Sequence, residues 1–192
     1  MKRAMVFVAS VVLVVGSVDW AGAQTKKGRP KAAAGAPEAV IYDASSAMAF
    51  LATASGEWGS GNAQAEHDHG GSTSEGYRGN WTFKTKALGF AVVQSYNLGT
   101  PGEMETVFHL NGDDLVLTHY CALQNAPVLK FQKSSKPGEI KFVFSGGSNF
   151  DPMVDQHLHD STLQIKDKDT IETVNTVWAK GRNSRTRLTV TS

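Results

Sequence analysis

The sequence contains a single cysteine, Cys121, among its 192 residues. One cysteine cannot form an intrachain disulfide, which excludes the small secreted folds that depend on several disulfides. A hydrophobic core must therefore stabilise this chain. Roughly 150 residues follow the N-terminal region, which is the usual size of one domain and enough to bury such a core.

The chain also lacks an excess of charge of either sign, since it has 19 basic and 18 acidic side chains. This balance gives no electrostatic reason to expect nucleic acid as a partner. Three catalytic or phosphate-binding motifs are missing: Gly-X-Ser-X-Gly, Gly-X-X-X-X-Gly-Lys and Gly-X-Gly-X-X-Gly. Glu57 and Glu105 have no partner that the sequence assigns to them. The sequence therefore predicts no catalytic residue and favours a protein that is not an enzyme.

Long apolar runs are absent except for one at the N-terminus, from Ala4 to Val18. Lys2 and Arg3 precede this run, and Ala21-Gly22-Ala23 follows it with small residues at alternate positions. This pattern predicts a signal peptide over residues 1–23, cleaved after Ala23. We therefore expect an exported protein, either periplasmic or extracellular.

Asp19 and Trp20 are unusual near a cleavage site, so a retained N-terminal anchor is the alternative. Cleavage would remove two of the 19 basic and one of the 18 acidic side chains, leaving a neutral mature chain. Residues 24–38, rich in Gly, Pro, Ala and Lys, are typical of a flexible basic leader. No later segment has the roughly 20 apolar residues of a membrane span, so no integral membrane segment is expected after cleavage.

Helical spacing is found only between Asp43 and Gly56, where Met48 and Leu51 share one face. Asp43 or Ser45 can cap the start of this helix, and Gly56 can stop it. Such a short amphipathic helix is expected to act as a lid or plug against a larger element.

The rest of the chain alternates between short strand-like runs and turn residues. About ten such strands in one domain must close or fold over to hide their edges. We therefore predict an all-β fold, a single antiparallel up-and-down barrel of about ten strands with a short N-terminal helix, over residues 39–192. A two-sheet sandwich is the alternative. The predicted strands are 57–63, 76–86, 89–98, 103–111, 114–122, 128–133, 139–145, 157–165, 171–179 and 185–191.

One hairpin in this series has a register that the sequence predicts. An Asn-Gly-Asp-Asp turn separates two alternating runs. If Leu110 pairs with Leu115, then Phe108 faces Leu117, Thr106 faces His119 and Met104 faces Cys121. His119 and Cys121 then lie on an apolar, inward face.

Two features of the chain resemble the calycin barrels, which include lipocalins, fatty-acid-binding proteins and nitrobindin-like proteins. A short helix runs into Gly56-Glu57-Trp58, and the last predicted strand contains Arg185 and Arg187, either of which can take the place of the arginine in the calycin pattern. In that pattern the tryptophan closes the barrel floor and the arginine packs over its ring. The resemblance implies a barrel that encloses a small ligand.

The segments 117–122 and 125–127 also resemble a group of uncharacterised secreted proteins with such a barrel. Nitrobindin-like proteins hold a haem through a histidine near the C-terminal end. The last histidine here is His159, and the final predicted strand contains none.

Two His-X-His pairs are candidate metal ligands. His157 and His159 share a strand face, and His119 and Cys121 could complete a site for zinc, copper or iron. Buried histidines hydrogen-bonded to their neighbours are the alternative. The second pair, His67 and His69, lies in a polar stretch that we predict to be a loop at the barrel mouth.

Three functions follow as hypotheses. The first is binding of a small, largely apolar ligand inside the barrel, without catalysis. The second is a metal- or haem-binding barrel that uses His119, His157 and His159. The third is a structural or interaction barrel with a filled core. For the first, the predicted ligand-binding residues are His119, Cys121, Tyr96, Phe108, Phe142 and Phe144.

Overall fold

The computed structural model describes residues 40–67, 71–75, 80–134 and 136–192. The predicted signal peptide and leader lie outside these residues, so they stay predictions. Within the described residues, no helix is both long and apolar enough to cross a membrane.

A closed antiparallel barrel accounts for nearly all of the described chain, which confirms the predicted fold. From β3 to β11 each strand pairs with its neighbour in sequence, β1 pairs with both β2 and β3, and β11 pairs with β1 to close the sheet. The strands are β1 Gly56–His67, β2 Gly71–Glu75, β3 Asn80–Lys86, β4 Ala91–Tyr96, β5 Met104–Asn111, β6 Asp114–Tyr120, β7 Ala126–Gln132, β8 Glu139–Ser148, β9 His157–Asp167, β10 Thr170–Ala179 and β11 Arg182–Thr191.

The eleven segments form ten positions in the wall, because β2 and β3 pair with successive parts of β1. The polar stretch around His67 and His69 is predicted above to be a loop, and this prediction is wrong for its described residues, 65–67 and 71–75. Strand β1 continues to His67 and makes a backbone ladder with β2, so most of the polar stretch is hairpin. Asp68 and His69 lie outside the described residues.

Helix α1, Ala44–Thr53, begins at Asp43, whose carboxylate accepts a hydrogen bond from the Ser46 backbone N–H at 2.8 Å. The Ser46 hydroxyl in turn accepts a hydrogen bond from the Asp43 backbone N–H at 2.9 Å, which completes a capping box. Both bonds satisfy backbone donors that a helix start leaves without partners. The cap fixes where the helix enters the barrel.

The helix plugs one end of the barrel and packs against β3, β4, β5 and β6. Its side chains Ala47, Met48 and Leu51 are buried in the core cluster. At its C-terminal end, the Ser55 hydroxyl lies 3.1 Å from that of Thr85, near the end of β3. The plug therefore closes the end of the barrel where β3 finishes and β4 begins.

Trp58 lies in the floor beside this plug, as the resemblance implies. Its indole N–H donates to the Ala54 carbonyl at 2.8 Å, and its ring meets Phe83 edge-on at 6.2 Å. The expected arginine over this ring is a wrong prediction. Arg187 donates instead to the Glu172 carboxylate at 2.6 Å, and Arg185 lies beside it among the polar side chains of the outer wall. Both arginines alternate with residues that face the interior, which places them on the outside.

Candidate functional site

The end of the barrel opposite the helix contains a cavity of about 280 Å³. It lies where β3, β5 and β9 begin and where β4, β6 and β10 end. Leu123 and Gln156 are exposed at the lining's edge, which marks the mouth. The lining residues are Trp81, Gln94, Tyr96, Met104, Thr106, Phe108, Leu117, His119, Cys121, Leu123, Gln156, His157, Leu158, Ser161, Asn175, Val177, Thr186 and Leu188.

One row of polar side chains crosses the cavity wall because the strand register aligns it. Gln94 of β4 pairs with Thr106 of β5, and Thr106 pairs with His119 of β6. Paired residues point to the same face of a sheet, so the three side chains lie side by side. The pairing of Thr106, Phe108 and Leu110 with their partners on β6 confirms the register predicted for this hairpin.

His119 is held in this row by a hydrogen bond between its Nδ1 and the Thr106 hydroxyl, 2.8 Å long. The side chain is buried, and burial lowers its pKa from 6.5 to about 4 because the charged form loses its hydration. The imidazole is therefore neutral at pH 7. A neutral imidazole offers the cavity a polar edge without a charge.

Tyr96 lies next to this row and joins it to Trp81. Its ring meets the Trp81 ring edge-on at 4.7 Å and the His119 ring at 6.0 Å. Its hydroxyl donates to Gln94 Oε1 at 2.6 Å. Five polar or aromatic lining residues, Trp81, Gln94, Tyr96, Thr106 and His119, thus form one connected patch on the β3–β6 side of the cavity.

Two donors of this patch have no hydrogen-bond partner among the described residues: Trp81 Nε1 and Gln94 Nε2. Both residues are only 2% exposed. A buried donor without a partner costs about 1–3 kcal/mol of stability, and native structures keep few of them. The presence of two unpartnered donors in one cavity wall therefore needs a physical explanation.

The facing wall has its own polar pair, and this pair is satisfied. The Ser161 hydroxyl of β9 donates to Asn175 Oδ1 of β10 at 2.8 Å, and the two residues are register partners. The described lining includes no Lys, Arg, Asp or Glu side chain. Most of the lining residues are apolar.

His157 and His159 lie together at one side of the mouth. His157 Nε2 is 3.2 Å from His159 Nδ1, and His157 Nδ1 is 2.9 Å from the Asp155 carbonyl. His157 is buried against Phe144, Phe150 and Trp178, and His159 stacks on Phe144 at 5.0 Å. A shift in the β9–β10 register beside this pair interrupts the strict alternation of faces.

The proposed metal ligands are thus only partly together. His157 lines the cavity, as does His119, but His159 does not. Among the residues that the structure describes, no group of three or more His, Cys, Asp or Glu side chains could hold a metal ion. The haem ligand implied by the nitrobindin resemblance has no counterpart in β11, which contains no histidine. The residues of this strand therefore do not fit a haem held in the nitrobindin manner.

The other predicted ligand-binding residues divide into two sets. Tyr96, Phe108 and Cys121 line the cavity, and Cys121 Sγ lies 3.9 Å from Met104 Sδ, the partner expected for it. Phe142 is buried behind Phe108, with ring centres 5.6 Å apart, and Phe144 belongs to the histidine cluster. Neither of these two phenylalanines is part of the lining.

Sequence reasoning missed Trp81, Gln94, Ser161 and Asn175 as parts of the site. Alternation within β4 gives the signal that could have found Gln94, because it shares a face with Val92 and Tyr96. A glutamine on an inward face between two hydrophobic residues is a buried polar group that needs hydrogen-bond partners.

Comparisons with known proteins assign no family. No family model and no curated protein matches the chain. Among solved structures it is similar to a protein of unknown function from the DUF3598 family of Nostoc punctiforme, at 12% identity and a TM-score of 0.49. The match covers 71% of this chain and 46% of that one, so the chain spans about half the length of the protein it matches.

Proposed function

We propose that this protein is an exported barrel that binds a small, largely apolar molecule in the cavity opposite helix α1, without catalysing a reaction. The cavity itself is the observation that carries this proposal. Its volume of about 280 Å³ is close to the lower end of small-molecule pockets, which start at about 300 Å³. Its wall combines apolar side chains with a few grouped polar ones, which is the usual composition of such sites.

The energetics favour an apolar ligand. Each Å² of apolar surface removed from water contributes about 25 cal/mol, and the lining has Phe108, Leu117 and Leu188 to receive it. The plug at the other end seals the barrel, so a ligand enters and leaves on the side of Leu123 and Gln156.

Two further considerations support the proposal. The chain resembles the calycin barrels in its helix and in Gly56-Glu57-Trp58, and those barrels hold a ligand in their interior. The N-terminal sequence of charged, apolar and small residues supports export.

Native mass spectrometry of the protein purified from its export compartment tests the proposal. We expect a bound mass that organic extraction removes and that an apolar probe such as 2-octanone replaces. An unliganded mass together with no uptake of any probe would instead favour a filled, structural barrel. Elemental analysis and a visible spectrum of the same sample would reveal a metal or a haem.

A matched pair of variants locates the ligand. Val177 lines the cavity, whereas Val174 of the same strand lies on the polar outer wall. Val177→Trp fills the cavity and should abolish uptake of 2-octanone, while Val174→Trp should leave it unchanged. Equal uptake by both variants would place the ligand elsewhere.

A further inference from the structure

The hydrogen-bonding groups of the cavity wall restrict two properties of its ligand, which are its charge and its polar group. Thr106 is hydrogen-bonded to His119 within the wall, and Ser161 to Asn175. Trp81 Nε1 and Gln94 Nε2 are the fully buried polar atoms of the lining that find no partner among the described residues, and both are donors. The wall therefore contains buried N–H donors that lack an acceptor.

The two residues that carry these donors are both neighbours of Tyr96 in the wall. Trp81 is the register partner of Tyr96, and Gln94 is two residues before Tyr96 on the same strand face. The Tyr96 hydroxyl holds the oxygen side of the Gln94 amide, which leaves the NH₂ side as the donor. The terminal torsion of a glutamine is soft, so a small rotation of the amide can bring its N–H onto a ligand.

Charge on the ligand is opposed by the same wall. A carboxylate beside Tyr96 would be buried without a cation, because the described lining has no Lys or Arg and the neutral His119 does not supply a charge. The other lining histidine, His157, has both ring nitrogens engaged, by the Asp155 carbonyl and by His159. An ammonium group would likewise be buried without a carboxylate. An uncharged acceptor oxygen does not incur the cost of burying an unpaired charge.

We propose that the cavity selects an uncharged apolar molecule with a carbonyl-type acceptor oxygen, which is bound beside Tyr96 by the N–H groups of Gln94 and Trp81. This inference rests on the proposed function and narrows it to one ligand class. Long-chain ketones, esters and amides belong to that class, and free fatty acids do not.

Isothermal titration calorimetry with three eight-carbon probes tests the inference: 2-octanone, octanoate and octylammonium, at a pH of about 7.5. We expect 2-octanone to bind at least tenfold more tightly than either ion, because burying an unpaired charge is costly. Octanoate binding as tightly as the ketone would overturn the inference and leave the proposed function standing. If none of the three binds, the proposed function fails as well.

Two variants identify the donors. Gln94→Met keeps the length of the side chain and Trp81→Phe keeps an aromatic ring, but each removes an N–H. Each variant should weaken 2-octanone binding about three- to tenfold, the worth of one hydrogen bond. Thr173→Val is the control, because it removes a buried, unpartnered hydroxyl that is not in the lining, and it should leave the affinity unchanged. Unchanged affinity in both donor variants would overturn the assignment of Gln94 and Trp81.

Discussion

His119 shows how one buried side chain couples the site to stability. Its pKa in the folded protein, about 4, lies below the ordinary value of 6.5. The unfolded chain therefore binds the proton more readily, and stability from this group is complete above about pH 6.5. It is lost as the pH falls from 6.5 through 4.

We expect His119 to contribute a fall of about 3 kcal/mol in the free energy of unfolding between about pH 7 and pH 4. Urea unfolding across this range measures it. His119→Gln should flatten the pH dependence by that amount. Identical slopes for wild type and His119→Gln would contradict the account.

The sequence predicted the site's residues only where local alternation is unbroken. The Asn-Gly turn fixes the β5–β6 register, so the inward faces of Thr106, Phe108 and His119 follow from it. Phe144 was predicted to line the interior because it alternates with Phe142. It packs instead against His157 and His159, next to register shifts on both β8 and β9. A bulge adds one residue and breaks period-two reasoning beyond it.

At the scale of single elements, the plug helix depends on Leu51, which is fully buried in the core cluster. We expect Leu51→Ala to lower the free energy of unfolding by about 2–5 kcal/mol, because it removes apolar contact and leaves a cavity. Leu88→Ala makes the same chemical change at a fully exposed position and should cost less than about 0.5 kcal/mol. Chemical denaturation compares the two, and similar losses would mean that the helix does not seal the core.

The end of β8 depends on a glycine for a different reason. Gly147 has a φ of +153°, and a Cβ there would lie 2.6 Å from the Ala126 carbonyl oxygen and 2.8 Å from Pro127 Cα. Both are backbone atoms of the paired strand β7, so neither can move freely. Gly146 has a φ of +133° but open space around its Cβ position.

We therefore expect Gly147→Ala to be more destabilising than Gly146→Ala by at least about 1 kcal/mol. The Gly146 variant carries the backbone strain alone, while the Gly147 variant adds a steric clash. Thermal unfolding of the two proteins gives the comparison. Equal losses would show that the approach of β7 to β8 does not constrain this position.

At the scale of the whole molecule, closure of β1 onto β11 pairs two strands that would otherwise be edges of an open sheet. Short strands and tight turns predict the number and order of the strand positions. The helical spacing of Met48 and Leu51 predicts the plug. The cavity was not predictable from the sequence, because its existence depends on how ten inward faces fill one volume. Residues far apart in sequence, such as Gln94 and Asn175, line one cavity only after closure.

The central claim is that a ligand occupies the cavity, and the single cysteine allows a direct test. Cys121 lines the cavity and is partly exposed, so alkylation of its thiol reports whether that space is filled. The measurement is the rate of iodoacetamide labelling, followed by intact mass, with and without 2-octanone. The urea-unfolded protein serves as the control, because its rate should not respond to the ligand.

With the ligand at ten times its Kd, we expect labelling of the folded protein to slow about tenfold, in proportion to the fraction of empty cavities. A ligand that binds by calorimetry and leaves the Cys121 labelling rate unchanged would contradict the account.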